Sequence, residues 1–213
     1  MKVVVLASSK GGVGKTTLAF NLAINASRLA SIYLADVDPQ RSLMDLCRRR
    51  RETPELAADN PMLLDGVKTV ASALADLEES GFARDWLIVD TSAAFMNVLA
   101  EAVRAADVVV MPLQASPLDL LAQDAALAIV DKAGKRDRLL CVLNRADPRS
   151  SLTAEALAAI RQRSPNRPLQ IANRTDYARA AVTARAATEV NRDAAAEIGA
   201  LWQAVTRIGR KSA

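Results

Sequence analysis

The amino-acid sequence predicts an α/β protein, with a doubly wound, mostly parallel sheet flanked by helices. Three observations predict it. Short apolar runs rich in leucine and β-branched residues recur along the chain. Their residues are apolar at successive rather than alternate positions, as strands covered on both faces must be. Alanine- and leucine-rich segments with helical spacing separate them, and strands alternating with helices build parallel sheets.

The strands are predicted at Val3–Ala7, Ile32–Ala35, Trp86–Val89, Val108–Met111 and Leu139–Leu143. Helices are predicted at Thr16–Leu29, Asn97–Ala105, Asp119–Lys132 and Thr153–Arg163, with a closing helix at the C-terminal end. Arg48-Arg49-Arg50-Arg51 ahead of Pro54 reads as a helix end, where positive charge is favoured by the dipole, or else as a nucleic-acid contact. Pro54 and Pro61 should bracket a surface loop. No Gly-, Pro- or Ser-rich linker divides the 213 residues, so one domain over 1–213 is expected.

Composition narrows the chemistry. Histidine is absent, which removes histidine bases and histidine metal ligands. Cys47 and Cys141 form no C-x-x-C motif and read as reduced thiols; an iron–sulfur cluster would need two chains to share it. The apolar start at residues 1–6 is too short for a signal peptide, and no run of ~18 apolar residues suggests a membrane span. A soluble cytoplasmic protein is expected. The net charge of +4 is uneven: residues 161–213 hold ten basic and four acidic side chains, +6 against −2 for the remainder. Such an end suits a polyanion partner, or is a solvated helical face.

Ser9-Lys10-Gly11-Gly12-Val13-Gly14-Lys15-Thr16-Thr17 lies between the first strand and the first helix. Glycines there let successive N–H groups point at phosphate oxygens, and the helix N-terminus adds further donors. Lys15 would reach the β- and γ-phosphates of ATP and Thr16 would ligate Mg²⁺. Ser9 stands where the strict pattern has glycine, and Lys10 is a second lysine. Asp36-Val37-Asp38-Pro39-Gln40 ends the second strand at the carboxyl edge, where ligands of such sheets bind. Asp38 could hold Mg²⁺ through water, orient the attacking water, or simply cap its loop. Asp90, closing the strand Leu87-Ile88-Val89, has the form of a second magnesium-linked carboxylate.

Together with Val109-Val-Met-Pro-Leu-Gln-Ala-Ser-Pro-Leu-Asp119, these segments resemble the ParA/MinD family of deviant P-loop ATPases, and most of all the small ParA proteins lacking an N-terminal DNA-binding domain. The resemblance runs over essentially the whole chain, including Arg174-Thr-Asp-Tyr177. It implies a P-loop NTPase fold, ATP and Mg²⁺. It implies that Lys10 crosses a nucleotide-sandwich homodimer, that Gly11 to Thr17 cradle phosphate, and that Lys10, Lys15 and Asp38 serve catalysis. Thr16, Asp38 and Asp90 would then hold the metal. Asn144 resembles the residue that reads adenine, its amide offering a donor and an acceptor; otherwise it is a turn residue. Two segments depart from the family: Thr91-Ser92-Ala93-Ala94 replaces the usual Thr-Pro-Pro or Thr-Pro-Gly, and Arg185-Ala186-Ala187 replaces Gly and a small residue.

The function implied is an ATPase that dimerises on ATP, binds DNA without sequence preference, and positions a plasmid, chromosome or protein cargo. A ParB-type adaptor would stimulate an otherwise slow hydrolysis, and the ATP form would associate with the nucleoid. Arg161, Arg163, Arg167, Arg179, Arg185 and Arg192 are the candidate DNA contacts, since nonspecific binding is mostly phosphate neutralisation. The alternative is a MinD-like membrane switch, with Trp202, Val205 and Ile208 on one face of the closing helix beside Arg207, Arg210 and Lys211. A metabolic P-loop enzyme would share the fold, but no segment signals its substrate pocket.

Overall fold

The computed structural model describes residues 1–56, 60–81 and 85–210. Lys211 and the middle of the predicted Pro54–Pro61 loop lie outside the described residues. Among the described residues seven parallel strands form one sheet in the order β3-β2-β4-β1-β5-β6-β7. They are β1 (Lys2–Leu6), β2 (Ile32–Asp36), β3 (Met62–Leu64), β4 (Trp86–Asp90), β5 (Val108–Leu113), β6 (Leu139–Ala146) and β7 (Leu169–Ala172). The five predicted strands are present within a few residues of their expected ends. The two short outer strands, β3 and β7, are added at the edges.

Alternate residues feed opposite cores. Val3 and Val5 of β1 join Val89 of β4 beneath α3 (Val70–Glu79), α4 (Met96–Ala105), α6 (Asp124–Lys132) and α7 (Ser151–Arg163). Val4 and Leu6 join Ile88 beneath α1 (Lys15–Ala26), α2 (Ser42–Arg51) and α9 (Arg192–Arg210). Both faces are covered, which is why the strands are continuous apolar runs. The chain leaves β1 for β2 and β3 on one side, returns to β4, and crosses to β5 on the other. The carboxyl edge around β1 is therefore the topological switch point, where such sheets bind ligands.

Three expectations change. The single helix predicted over Asp119–Lys132 is two, α5 (Pro117–Ala122) and α6, interrupted at Gln123. Residues Asp176–Val182 form an additional short helix, α8. Arg50 does not solvate a helix end. It is 2% exposed, and both its terminal nitrogens donate to Glu189 at 2.7 Å while its Nε donates to Asn60. The closing helix α9 packs on the core, against the membrane alternative: Trp202, Val205 and Ile208 are buried against the sheet. Among the described residues no helix is long and apolar enough to cross a membrane.

α9 approaches the sheet closely. A Cβ on Gly209 would lie 2.6 Å from the Trp86 ring, and Trp202 meets Trp86 edge to face with centroids 5.1 Å apart.

Candidate functional site

The loop from Ser9 to Gly14 links β1 to α1, and two of its glycines hold backbone angles that other residues avoid, φ 74° at Gly12 and 98° at Gly14. These angles turn the chain from the sheet into the helix over very few residues. Lys15 and Thr16 thereby sit in the first turn of α1, with Thr17 beside them. Gly11 has open space around it. Val13 is buried and anchors the loop, and its carbonyl accepts from Asn144 Nδ2 at 2.7 Å.

Neighbouring strands supply the carboxylates. β4 lies beside β1 in register, so Asp90 pairs with Leu6 and is set next to the start of α1. Thr16 Oγ1 donates to Asp90 Oδ2 at 2.6 Å, and Asp90 Oδ1 is buried with no hydrogen-bond partner. Burial pushes the Asp90 carboxyl up to about 7, against the Thr16 hydrogen bond and the Lys15 charge, with Asp36 and Asp38 adding to the rise. Burial lowers the Lys15 ammonium, and Asp90 and Asp38 partly restore it. The site is thus a buried carboxylate bonded to a partly buried hydroxyl, beside a buried lysine. An unpaired carboxylate oxygen next to a hydroxyl is a set of hard donors that suits Mg²⁺, a cation that takes few protein ligands.

β2 carries the third carboxylate. Asp36, buried at the strand's end, accepts from Leu43 N–H and Met44 N–H and so caps α2, while its other oxygen accepts from Asp38 N–H at 3.0 Å. Asp38, two residues further, is only partly buried, and its Oδ1 accepts from Gln40 N–H. Asp38 therefore caps its own loop while one oxygen remains for other work. The role of Asp36 is missed by the sequence reading; the doubled aspartate of Asp36-Val37-Asp38 is the signal that one positions the other. In the segment that departs from the family, Thr91 Oγ1 donates to the Leu6 carbonyl and Ser92 Oγ accepts from Ala94 N–H. Both side chains shape the turn after Asp90.

Lys10 is held at the loop's mouth by an ion pair with Asp119 of α5. The lysine side chain is 42% exposed and the aspartate 8%. Asn144 lines a cleft of about 390 Å³ with Gly14, Thr17, Arg145, Arg174 and Tyr177. One of its two amide N–H groups is already engaged by Val13, which leaves the other and the carbonyl for a ligand. Arg174 does not enter as a free cation, because it bonds Glu197 at 3.0 Å and Asp193 at 3.2 Å on α9.

The six candidate DNA arginines do not form one patch. Arg161 and Arg167 line a groove of about 460 Å³ with Arg207, which the sequence counts in the basic tail but not among the six candidate contacts. Among the described residues no carboxylate lines that groove. Arg163 is partly exposed and engaged within the chain, donating to Asp124 at 2.8 Å and to the Leu120 carbonyl. Arg179, Arg185 and Arg192 are exposed around α8 and the start of α9, at the carboxyl edge of the sheet. The groove sits at the opposite edge, where β7 begins and α9 ends.

A parallel sheet with a glycine-rich phosphate loop after β1 and carboxylates at the ends of β2 and β4 defines a P-loop nucleotide-binding protein. The match to known proteins makes this specific: residues 4–185 match the CobQ/CobB/MinD/ParA nucleotide binding domain, and the chain belongs to that family. It is 36% identical over 171 residues to the maintenance of carboxysome distribution protein A of Gloeobacter kilaueensis, covering 76% of this chain and 72% of that protein. Solved structures share the fold. An aspartate-to-alanine variant of McdA from Cyanothece in complex with ATP superposes with a TM-score of 0.72 at 21% identity, covering 97% of this chain and 96% of that one. The cell division ATPase MinD of Pyrococcus furiosus does so at 0.73 and 16% identity, with 97% and 99% covered.

Proposed function

We propose that the protein is a ParA-type positioning ATPase, one domain over residues 1–213, that dimerises on ATP and binds DNA without sequence preference. The observation that carries this reading is the phosphate loop whose Thr16 is paired with Asp90 while a second lysine, Lys10, stands at its mouth. Lys15 binds the phosphates, and Thr16 and Asp90 hold Mg²⁺, with Asp38 completing the metal's surroundings or orienting the attacking water. Bound Mg²⁺ neutralises phosphate charge. Lys10 leaves Asp119 to reach the phosphates of a second copy. Asn144 braces the loop through Val13 and offers its carbonyl to adenine. With no histidine and no strong base in the site, positioning and charge must carry the chemistry, so hydrolysis is slow until an adaptor of ParB type acts.

The DNA part of the reading is supported by the acid-free groove of Arg161, Arg167 and Arg207 and by the exposed Arg179, Arg185 and Arg192. The cargo is a plasmid, a chromosome or a protein assembly; the relative named for carboxysome distribution favours the last. The membrane alternative loses its main support because the apolar face of α9 is buried. The test is binding to random duplex DNA with ATP, with ADP and without nucleotide. Affinity is expected only with ATP, falling steeply with salt. Equal binding without nucleotide refutes the reading.

A further inference from the structure

The helical periodicity that runs from Asp119 to Lys132 is broken at Gln123, and the break faces the phosphate loop. With the helix interrupted, the Ala122 carbonyl accepts a hydrogen bond from Ser9 Oγ at 2.5 Å. Gln123 itself is fully buried, and both ends of its amide are used on the same loop. Its Oε1 accepts from Ser9 N–H at 3.2 Å and its Nε2 donates to Ser8 Oγ at 2.9 Å. Ser8 Oγ in turn donates to the Lys10 carbonyl and accepts from Lys10 N–H, both at 3.0 Å. Ser8 and Ser9 are thus fastened directly to the junction of α5 and α6, and the Lys10 backbone is fastened to it through Ser8. The Lys10 side chain is fastened to the same element through Asp119.

Ser9 is the residue that departs from the strict phosphate-loop pattern, and glycine there would have no hydroxyl to reach Ala122. The departure and the helix break complement each other. An amide buried merely to fill the core would not place both of its polar ends on one functional loop. Shared, fully satisfied polar contacts of this kind hold a loop to a narrow range of positions.

We propose that Gln123 is a positioning residue for hydrolysis: with Ser8 and Ser9 it fixes the opening half of the phosphate loop and so the place from which Lys10 reaches its target. The inference rests on the reading of Lys10 as the dimer-reaching lysine.

The test uses the full chain with Gln123→Leu, Ser9→Gly and the double variant. Each is measured for single-turnover ATP hydrolysis, for ATP-dependent dimerisation by sedimentation, and for ADP affinity. Gln123→Leu should lower kcat and the dimer association constant ~10-fold, as a misplaced catalytic group does. ADP affinity of the monomer should stay within ~2-fold, because Lys15 and the α1 N-terminus remain in place. Ser9→Gly should move the same quantities in the same direction. The double variant should lose less than the sum of the two single losses, since both side chains hold the same stretch of loop and meet at Ser9 Oγ and Gln123 Oε1, 3.5 Å apart. Unchanged kcat and dimerisation in either folded variant overturn the proposal, as does an equal loss of ADP affinity or an additive cycle. Ser9→Gly, a change in the loop rather than the core, keeps the test decisive if Gln123→Leu does not fold. Wild-type protein that stays monomeric with ATP overturns the reading of Lys10 itself, whereas a dimerising wild type with indifferent variants overturns only the fastening.

Discussion

A methyl group on Gly14 would lie 2.2 Å from Asn144 Nδ2, on a backbone already held at φ 98°. Both constraints must give way before any side chain is accepted there. Gly14→Ala should therefore abolish ATP binding in a fluorescent-nucleotide titration, while Gly11→Ala, with open space around it, should cost much less. Lys15→Ala should likewise abolish binding or hydrolysis. Asp38→Ala should leave ATP bound and uncleaved, and normal turnover in that variant would remove Asp38 from the mechanism. These residues are legible in the sequence because the phosphate loop is a local pattern: its glycines, lysines and Thr16 follow one another along the chain. Their partners are not. Asp119 and Gln123 meet the loop from more than a hundred residues away, and nothing in the order of residues announces the contact. Asn144 stands out for its amide, but its bond to Val13 depends on how β6 sits beside the loop.

Among the elements, α2 shows how an exposed-looking segment can be internal. Four successive arginines suggest a solvated helix end, yet the register of α2 turns Arg50 inward to Glu189 in the segment between α8 and α9. Burial alone would raise the Glu189 carboxyl, but the hydrogen bonds from Arg50 and Ala186 N–H hold it below its ordinary value of 4.5. Arg50→Ala leaves that carboxylate only Ala186 N–H and the more distant Arg28, and should cost up to ~3 kcal/mol in denaturant unfolding. A carboxyl with a depressed folded pKa stabilises fully above its ordinary value and loses that contribution as pH falls through the folded one. The gap between wild type and Arg50→Ala should be full at neutral pH and shrink as acid titrates Glu189. Helix boundaries follow from apolar spacing in α1, α4 and α7. In α5 and α6 the spacing continues across Gln123, because a break satisfied by side-chain contacts leaves the apolar pattern intact.

Over the whole molecule, the inner strands are readable as strands buried on both faces. β3, with three residues, and β7, with four, are too short and too near polar neighbours to stand out. The position of β7 decides where the basic groove lies, so the groove is hidden too. The tail's excess of arginine signals a polyanion partner, but only the packing of α9 against β7 separates Arg161, Arg167 and Arg207 from Arg163. Reversing charge at Arg161, Arg167 and Arg207 should weaken DNA binding and reduce its salt slope by about one for each phosphate no longer neutralised, while ATP binding persists. Arg163→Ala should instead lower stability and leave the salt slope unchanged.

The edge-to-face pair of Trp86 and Trp202 has a practical consequence. The chain has two tryptophans, and both stand at this one contact. Intrinsic emission therefore samples a single locus, the seating of α9 against the first residue of β4, at the end of that strand remote from Asp90. Fluorescence recorded during ATP addition will stay quiet unless the closing helix shifts, so any nucleotide-induced change in emission is a direct optical sign of motion carried across the sheet.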